Sequence, residues 1–298
     1  MDAALSRLPL ELVLLVAEHV ALDQVHVWTS WVATLCLVCK RFRRVVTPIL
    51  YAAIAVTNSN FDLLITTSCL PDTPMRHTTS LILTSVNHWT NHEALLALPL
   101  TLALANLSAF TGSTRLLAIL LQAGHTLNLL SAYLTDVTPA SDPFNIAAVQ
   151  PVVQTLSRLH VIYDIYDEEP SIQPDLSSSQ VEYLVIDLFS EASSLEDEAI
   201  DLSPITPLAT ASPRLRRVLF RARCVREPDA QRVAQAVVEW AQGRRDQRIY
   251  VDDTYVPIGD GLQTEWKWKD LDEQDALDGS SLWFRGRQAW YPFAPSTN

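Results

Sequence analysis

The chain has 298 residues, 48% of them apolar and 19% charged, and a formal net charge of −12 at pH 7. This composition can fill a sizeable core and is not that of a disordered chain; seven glycines are few for a phosphate-cradling nucleotide fold, and the acidic balance argues against nucleic acid or an anionic membrane as partner. Four cysteines in this length do not make a disulfide framework and suit a reducing compartment, so cytoplasm or nucleus is the expected location.

"MDAALSRLP" lacks a cationic stretch leading into a cleavable apolar one, so no signal peptide is expected. The first element is "LSRLPLELVLLVAEHV", Leu5 to Val20. Pro9 marks a helix start, where a missing N–H costs nothing, with Ser6 or Leu8 as the boundary. Glu11 in the first turn complements the helix dipole. Leu8, Leu12, Leu15, Val16 and His19 recur at helical spacing, and Leu10, Val13, Leu14 and Val20 widen the apolar stripe nearly all round. Such a helix needs more than one packing partner.

An aromatic connection, "DQVHVWTSWVAT" (Asp23 to Thr34), leads into "VATLCLVCKRFRRVVTPILYAAIAV". Its first part reads as one helix that turns basic at Lys40, Arg41, Arg43 and Arg44, as suits a C-terminus, and is broken by Pro48. "LYAAIAV" reads as a short strand.

Beyond Val56, short apolar stretches alternate with polar connections. "TSLILTSV" (Thr79 to Val86) is strand-like. The longest apolar run, Ala94 to Phe110, is interrupted by Pro99, Asn106 and Ser108 and is short of the ~20 residues a membrane span needs. "LSAFTGS" from Leu107 and "LSAYLTD" from Leu130 are near copies 23 residues apart, with "TRLLAILLQAG" as a helix between them. Further strands are expected at Arg158–Ile165, Val181–Phe189, Arg214–Ala222 and Arg248–Asp253, with an amphipathic helix over Asp229–Gly243. Strands followed by helical or irregular returns at roughly 20–29 residues are the pattern of leucine-rich repeats, here degenerate. Each unit cannot bury its own apolar face, so stacking is required. The alternation also fits a single α/β domain with a parallel sheet. From Pro257 on, four tryptophans in an acidic context fit either a cap over the open end of the array or an aromatic binding surface.

Little in the chain suggests bond chemistry. Cys36 and Cys39 have a metal-like spacing but no second pair. His88 and His92 lie one helical turn apart with Glu93 next, the wrong order for a zincin helix. "YDEEP" and "LEDEAID" read as solvated carboxylates. No metal, cofactor or catalytic residue is expected. A charge asymmetry is more informative: no Lys or Arg occurs from Leu159 to Pro213, and arginines then cluster between Arg214 and Arg226. Strand alternation puts Val218, Phe220, Ala222 and Cys224 on one face and Arg217, Arg221 and Arg223 on the other. That row could grip an acidic partner bidentately, or pair with the preceding strand, where Asp187 has matching parity.

The order of "LPLEL", a helix, "LCLVCKRFRRVV" and "PILYAAIAV" resembles the F-box of fungal F-box proteins over about Leu5 to Val56. The connection Asp23–Thr34 departs from the family's usual short turn. The resemblance implies three regions: an F-box over 1–56, a degenerate leucine-rich-repeat-like substrate-binding region over 57–256, and an aromatic cap or tail over 257–298. The expected fold class is α+β or α/β, a small helical module before a solenoid of short parallel strands and helices. The resemblance further implies a non-enzymatic substrate receptor of a Skp-cullin-F-box ubiquitin ligase. Leu8, Pro9, Leu12, Leu15, Val16, Leu37, Val38 and Phe42 would dock the Skp-type adaptor, and through it the cullin-RING ligase. The remainder would bind a protein substrate, with Arg217, Arg221 and Arg223 as candidate contacts. An F-box-like scaffold without ubiquitin transfer, or an α/β hydrolase-type enzyme whose first helices are core, stay open on the residues alone.

Overall fold

The computed structural model describes residues 8–85, 103–122, 127–138, 143–165, 174–190, 200–255 and 281–290. Within them lie eight α-helices and a nine-stranded, mostly parallel sheet, a mixed α/β architecture. His88, His92, Glu93, "YDEEP", most of "LEDEAID" and the tryptophans at 266 and 268 lie outside the described residues.

Three helices come first. α1 spans Leu10–Gln24, and the Pro9 carbonyl accepts from the Leu12 and Val13 N–H groups, which opens the helix without a side-chain cap. α2 spans Thr29–Val38, so only four residues link it to α1 and most of the aromatic connection is helical. The Thr29 hydroxyl donates to the Val25 carbonyl and ties the turn to α1. α3 spans Lys40–Leu50. The expected single helix is thus two, separated by Cys39 in extended geometry (φ −164°, ψ 168°). The basic residues consequently open α3 rather than close a helix, and the dipole disfavours them there. Pro48 does not break α3, which continues to Leu50. In the last turn it removes only one backbone bond. The three helices share a small core of Ala21, Val32 and Val46, with Leu35, Cys36, Ile49 and Leu50 at its margin.

The sheet follows. Its strands are β1 (Ala53–Thr57), β2 (Ser80–Ser85), β3 (Ala109–Gly112), β4 (Ser131–Thr138), β5 (Arg158–Asp164), β6 (Tyr183–Ser190), β7 (Arg217–Cys224), β8 (Ile249–Asp252) and β9 (Arg287–Gln288). β1 to β8 lie side by side in chain order, all parallel, and β9 joins β8 antiparallel. Returns include α4 (Phe61–Ser68) and a 3-10 turn (Pro74–His77), then α5 (Thr114–Gln122), α6 (Pro143–Val153), α7 (Thr206–Ala211) and α8 (Glu227–Arg244). A cut after Val56 would divide β1, which pairs with β2.

The strand starts recur by a common device. Ser80, Ala109, Ser131, Arg158, Tyr183 and Arg217 each donate their N–H to the carbonyl of the residue just before the preceding strand. Thr79, Ser108 and Ser157 donate both N–H and hydroxyl to the same carbonyl. One strand face and the returning helices enclose a single apolar core running from Val56 to Ala289, with Phe110, Leu117, Leu159, Ile186, Phe220 and Val237 fully buried. The other face is called the inner face below.

The near copies "LSAFTGS" and "LSAYLTD" are not in structural register. Ala109 pairs with Ser131, a step of 22 residues, not the 23 that aligns the motifs. Since strand side chains alternate, the one-residue slip reverses facing. Phe110 enters the main core, whereas Tyr133 lies on the inner face with Ile162 and Phe189.

Candidate protein-docking surface

α1 has two sides. Ala17 and Ala21 are buried, and small side chains there let the other two helices approach closely. At 3.6 residues per turn the opposite side carries Leu12, Leu15, Val16, His19 and Leu22, and all five are exposed. Apolar side chains at helical spacing therefore face outward. Leu8 and Pro9, just ahead of the helix, are exposed as well. Leu37 and Val38 end α2 and are 84% and 64% exposed. Cys39 is extended and breaks the helix after them. Of the eight residues expected to dock an adaptor, only Phe42 is half-buried.

Sequence reasoning missed part of this surface. Leu22, Val27, Trp28 and Trp31 are also exposed. The signal was the aromatic density of the connection, read as a departure from a short turn. Trp and large aliphatic side chains are uncommon as neighbours on an open surface, and contiguous patches of this kind mark interaction sites. Fully burying one Leu or Val is worth about 1.5–3 kcal/mol. Covering the exposed part of several would contribute several kcal/mol to association.

The inner face carries the arginine row. Parity places Arg217, Arg221 and Arg223 away from the core, with Val218, Phe220 and Cys224 on the core side, as alternation requires. They do not stand in open solvent, and for Arg221 and Arg223 the pairing with Asp187 of the preceding strand, the expected alternative to a partner contact, is what the structure holds. Arg221 and Arg223 are buried, and both pair with Asp187, which is fully buried. Arg221 Nε donates to Asp187 Oδ1 at 2.6 Å and its Nη2 to Oδ2 at 2.7 Å. Arg223 Nε donates to Oδ2 at 2.8 Å. His160 Nε2 lies 2.9 Å from the same oxygen. Tyr133 stacks flat on the imidazole, with ring centroids 3.6 Å apart. Burial alone would raise the Asp187 pKa, but Arg221, then Arg223 and His160, outweigh it and hold the carboxyl well below the usual carboxylate range. The cluster spans β4 to β7 and ties four strands together on the face that lacks the main core.

Arg217 is held differently. Its guanidinium lies 3.4 Å from the Tyr250 ring centroid and donates to the Arg285 carbonyl. Arg285 belongs to the C-terminal segment 281–290, whose Leu282 and Trp283 pack on Val185 and Leu219 of the inner face. The same segment then forms β9 along the outer edge of β8. Gly286 makes that turn possible, at φ +80° and with the Val251 carbonyl 2.6 Å from where a Cβ would sit.

Among the described residues no group of three or more His, Cys, Asp or Glu is placed to hold a metal ion. No described helix is long and apolar enough to cross a membrane. No protein-family model, curated protein or solved structure matches the chain.

Proposed function

We propose that the chain is an F-box-type substrate receptor, which docks a Skp-type adaptor of a cullin-RING ubiquitin ligase through α1 to α3 and presents a leucine-rich-repeat-like solenoid to a protein substrate. The observation that carries this reading is the outward-facing apolar surface of the helical module. A helix that served only as core would turn Leu12, Leu15 and Val16 inward; α1 buries Ala17 and Ala21 and leaves those three exposed. The inner cluster of three buried residues is small for a module of this size, so the three helices gain by packing on a partner.

The solenoid reading is supported by the strand order. A doubly wound α/β domain reverses direction from its first strand, whereas β1 to β8 proceed in chain order. Successive register partners Ala53, Ser80, Ala109, Ser131, Arg158, Tyr183 and Arg217 are 27, 29, 22, 27, 25 and 34 residues apart, steps mostly of leucine-rich-repeat length. The receptor does no bond chemistry in this reading. It raises the local concentration of a substrate beside the ubiquitin-charged enzyme, as any tether does.

The test is gel filtration of the full chain mixed with a purified Skp-type adaptor. Co-elution that is lost when Leu8 and Leu12 are both changed to Asp supports the reading. Separate elution of the wild-type chain and the adaptor contradicts it.

A further inference from the structure

A second surface lies where the helical module meets the sheet, and it has a different chemistry. α3, the end of α4 and the Pro74–His77 turn enclose a groove of about 740 Å³. Lys40, Arg43, Arg44 and Arg76 line it, with His77 beside them. Among the described residues Asp72 is the one carboxylate in the lining, and it stands 3.9 Å from Arg76 with both side chains largely exposed. Four permanent cations against one anion are a marked departure in a chain of net charge −12. Their placement is also locally unfavourable, because Lys40 and Arg43 sit at the dipole's positive end of α3. A local choice that lowers stability without a compensating contact within the fold is the mark of a functional surface.

The groove continues into an apolar hollow of about 310 Å³, and the two share Tyr51 and Thr67. Ile54, Leu63, Leu64 and Met75 line the hollow. Leu63 is exposed on its rim, and Leu70 is exposed on the basic side.

We propose that this continuous groove binds an acidic segment of a partner protein, one with clustered carboxylates followed closely by a large apolar side chain. Charge complementarity decides the first half: arginine forks match carboxylates bidentately, and a concave basic surface focuses the field on an anion. The adjoining hollow decides the second half, since it offers an apolar anchor a pocket of the size that seats one. A membrane or nucleic acid fits less well, because both are extended polyanions that the acidic remainder of the chain repels. A compact polyphosphate would leave the apolar hollow unused. The proposal does not depend on the adaptor reading, for although the groove shares α3 with the helical module it uses none of the eight residues expected to dock the adaptor.

The experiment is fluorescence anisotropy of the full chain with a labelled peptide containing Glu-Glu-Asp-Glu-Leu-Trp. Saturable binding that weakens as salt rises is expected. Arg43→Glu with Arg44→Glu should weaken it by at least about tenfold and flatten its salt dependence, because like charges then face each other. Arg76→Glu, on a different element, should weaken it as well, and Leu63→Asp should do so without changing the salt slope. All four side chains are exposed, so these variants keep the fold, and circular dichroism verifies that. The proposal is overturned if the peptide fails to bind, or if a variant with Ser for Leu-Trp binds equally well. Preference for a phosphoserine peptide, inositol hexakisphosphate or phosphatidylserine vesicles over the acidic peptide overturns it too. The adaptor reading is scored separately, by the Leu8→Asp, Leu12→Asp chain, which should bind this peptide normally.

Discussion

Asp187→Ala is the most consequential single change that the inner face offers. The carboxylate is fully buried and accepts from Arg221 twice, from Arg223 and from His160 at 2.6 to 2.9 Å. Truncation removes the carboxylate that two guanidinium groups, 9% and 7% exposed, share. Removing one partner of a buried ion pair costs about 3–5 kcal/mol, a fifth or more of the stability of an ordinary domain at about 5–15 kcal/mol. With a urea slope of about 3 kcal/mol/M, the midpoint should fall by about 1 M or more. Replacing the trio with apolar residues (Asp187→Leu, Arg221→Met, Arg223→Leu) should recover part of the loss, because the two guanidinium groups then no longer lack the carboxylate that they share. The pH dependence has a definite sign. The folded pKa of Asp187 is depressed, so its contribution is complete above the unfolded value of about 4 and is lost as pH falls through the folded value. Wild-type stability should therefore drop steeply below about pH 4, and Asp187→Asn should lack that part of the drop. The assay is urea unfolding followed by tryptophan fluorescence across that range. A loss under about 1 kcal/mol for Asp187→Ala, the size expected of an exposed pair, would refute the reasoning.

Two further changes test other parts of the fold. Gly286→Ala adds a Cβ 2.6 Å from the Val251 carbonyl at a left-handed φ, so it should cost about 1–3 kcal/mol and alter Trp283 fluorescence; stability equal to wild type would mean that the C-terminal segment does not make this turn. Burial, with Asp229 adding to it, pushes the Cys224 thiol up to about 12, while Cys39 and Cys69 are exposed. At about pH 8, Cys39 and Cys69 should therefore react quickly with a disulfide reagent and Cys224 only on unfolding; mass spectrometry of the labelled peptides reads the order, and early labelling of Cys224 would contradict its placement in the core.

Much of the sheet was legible because its strands are short apolar runs with period-two alternation. Asp187 was visible as the arginines' partner by parity alone, since it pairs in register with Arg221. His160 was not, because its contact is diagonal across strands and depends on the register. The slip that turns Tyr133 onto the inner face escaped for a related reason: similar motifs predict similar facing only if the return between them has the matching length. The break at Cys39 was hidden because apolar periodicity carries on through it. The apolar stripe on α1 was legible as a pattern, but whether it faced core or solvent was decided by Ala17 and Ala21, whose small size marks the packed side. The basic groove was out of reach, because Arg76 and His77 join Lys40, Arg43 and Arg44 only through tertiary packing.

Isothermal titration of the purified full chain with a Skp-type adaptor tests the central claim most directly. The account predicts saturable binding with a negative heat-capacity change, the signature of apolar burial. Leu8→Asp with Leu12→Asp should weaken binding by at least about a hundredfold, because a desolvated charge in an apolar interface costs several kcal/mol. The urea midpoint should not move, since both side chains are exposed in the free chain. No binding heat from the wild-type chain, or binding by the double variant within about twofold of wild type, would contradict the claim that these helices are an adaptor-docking module.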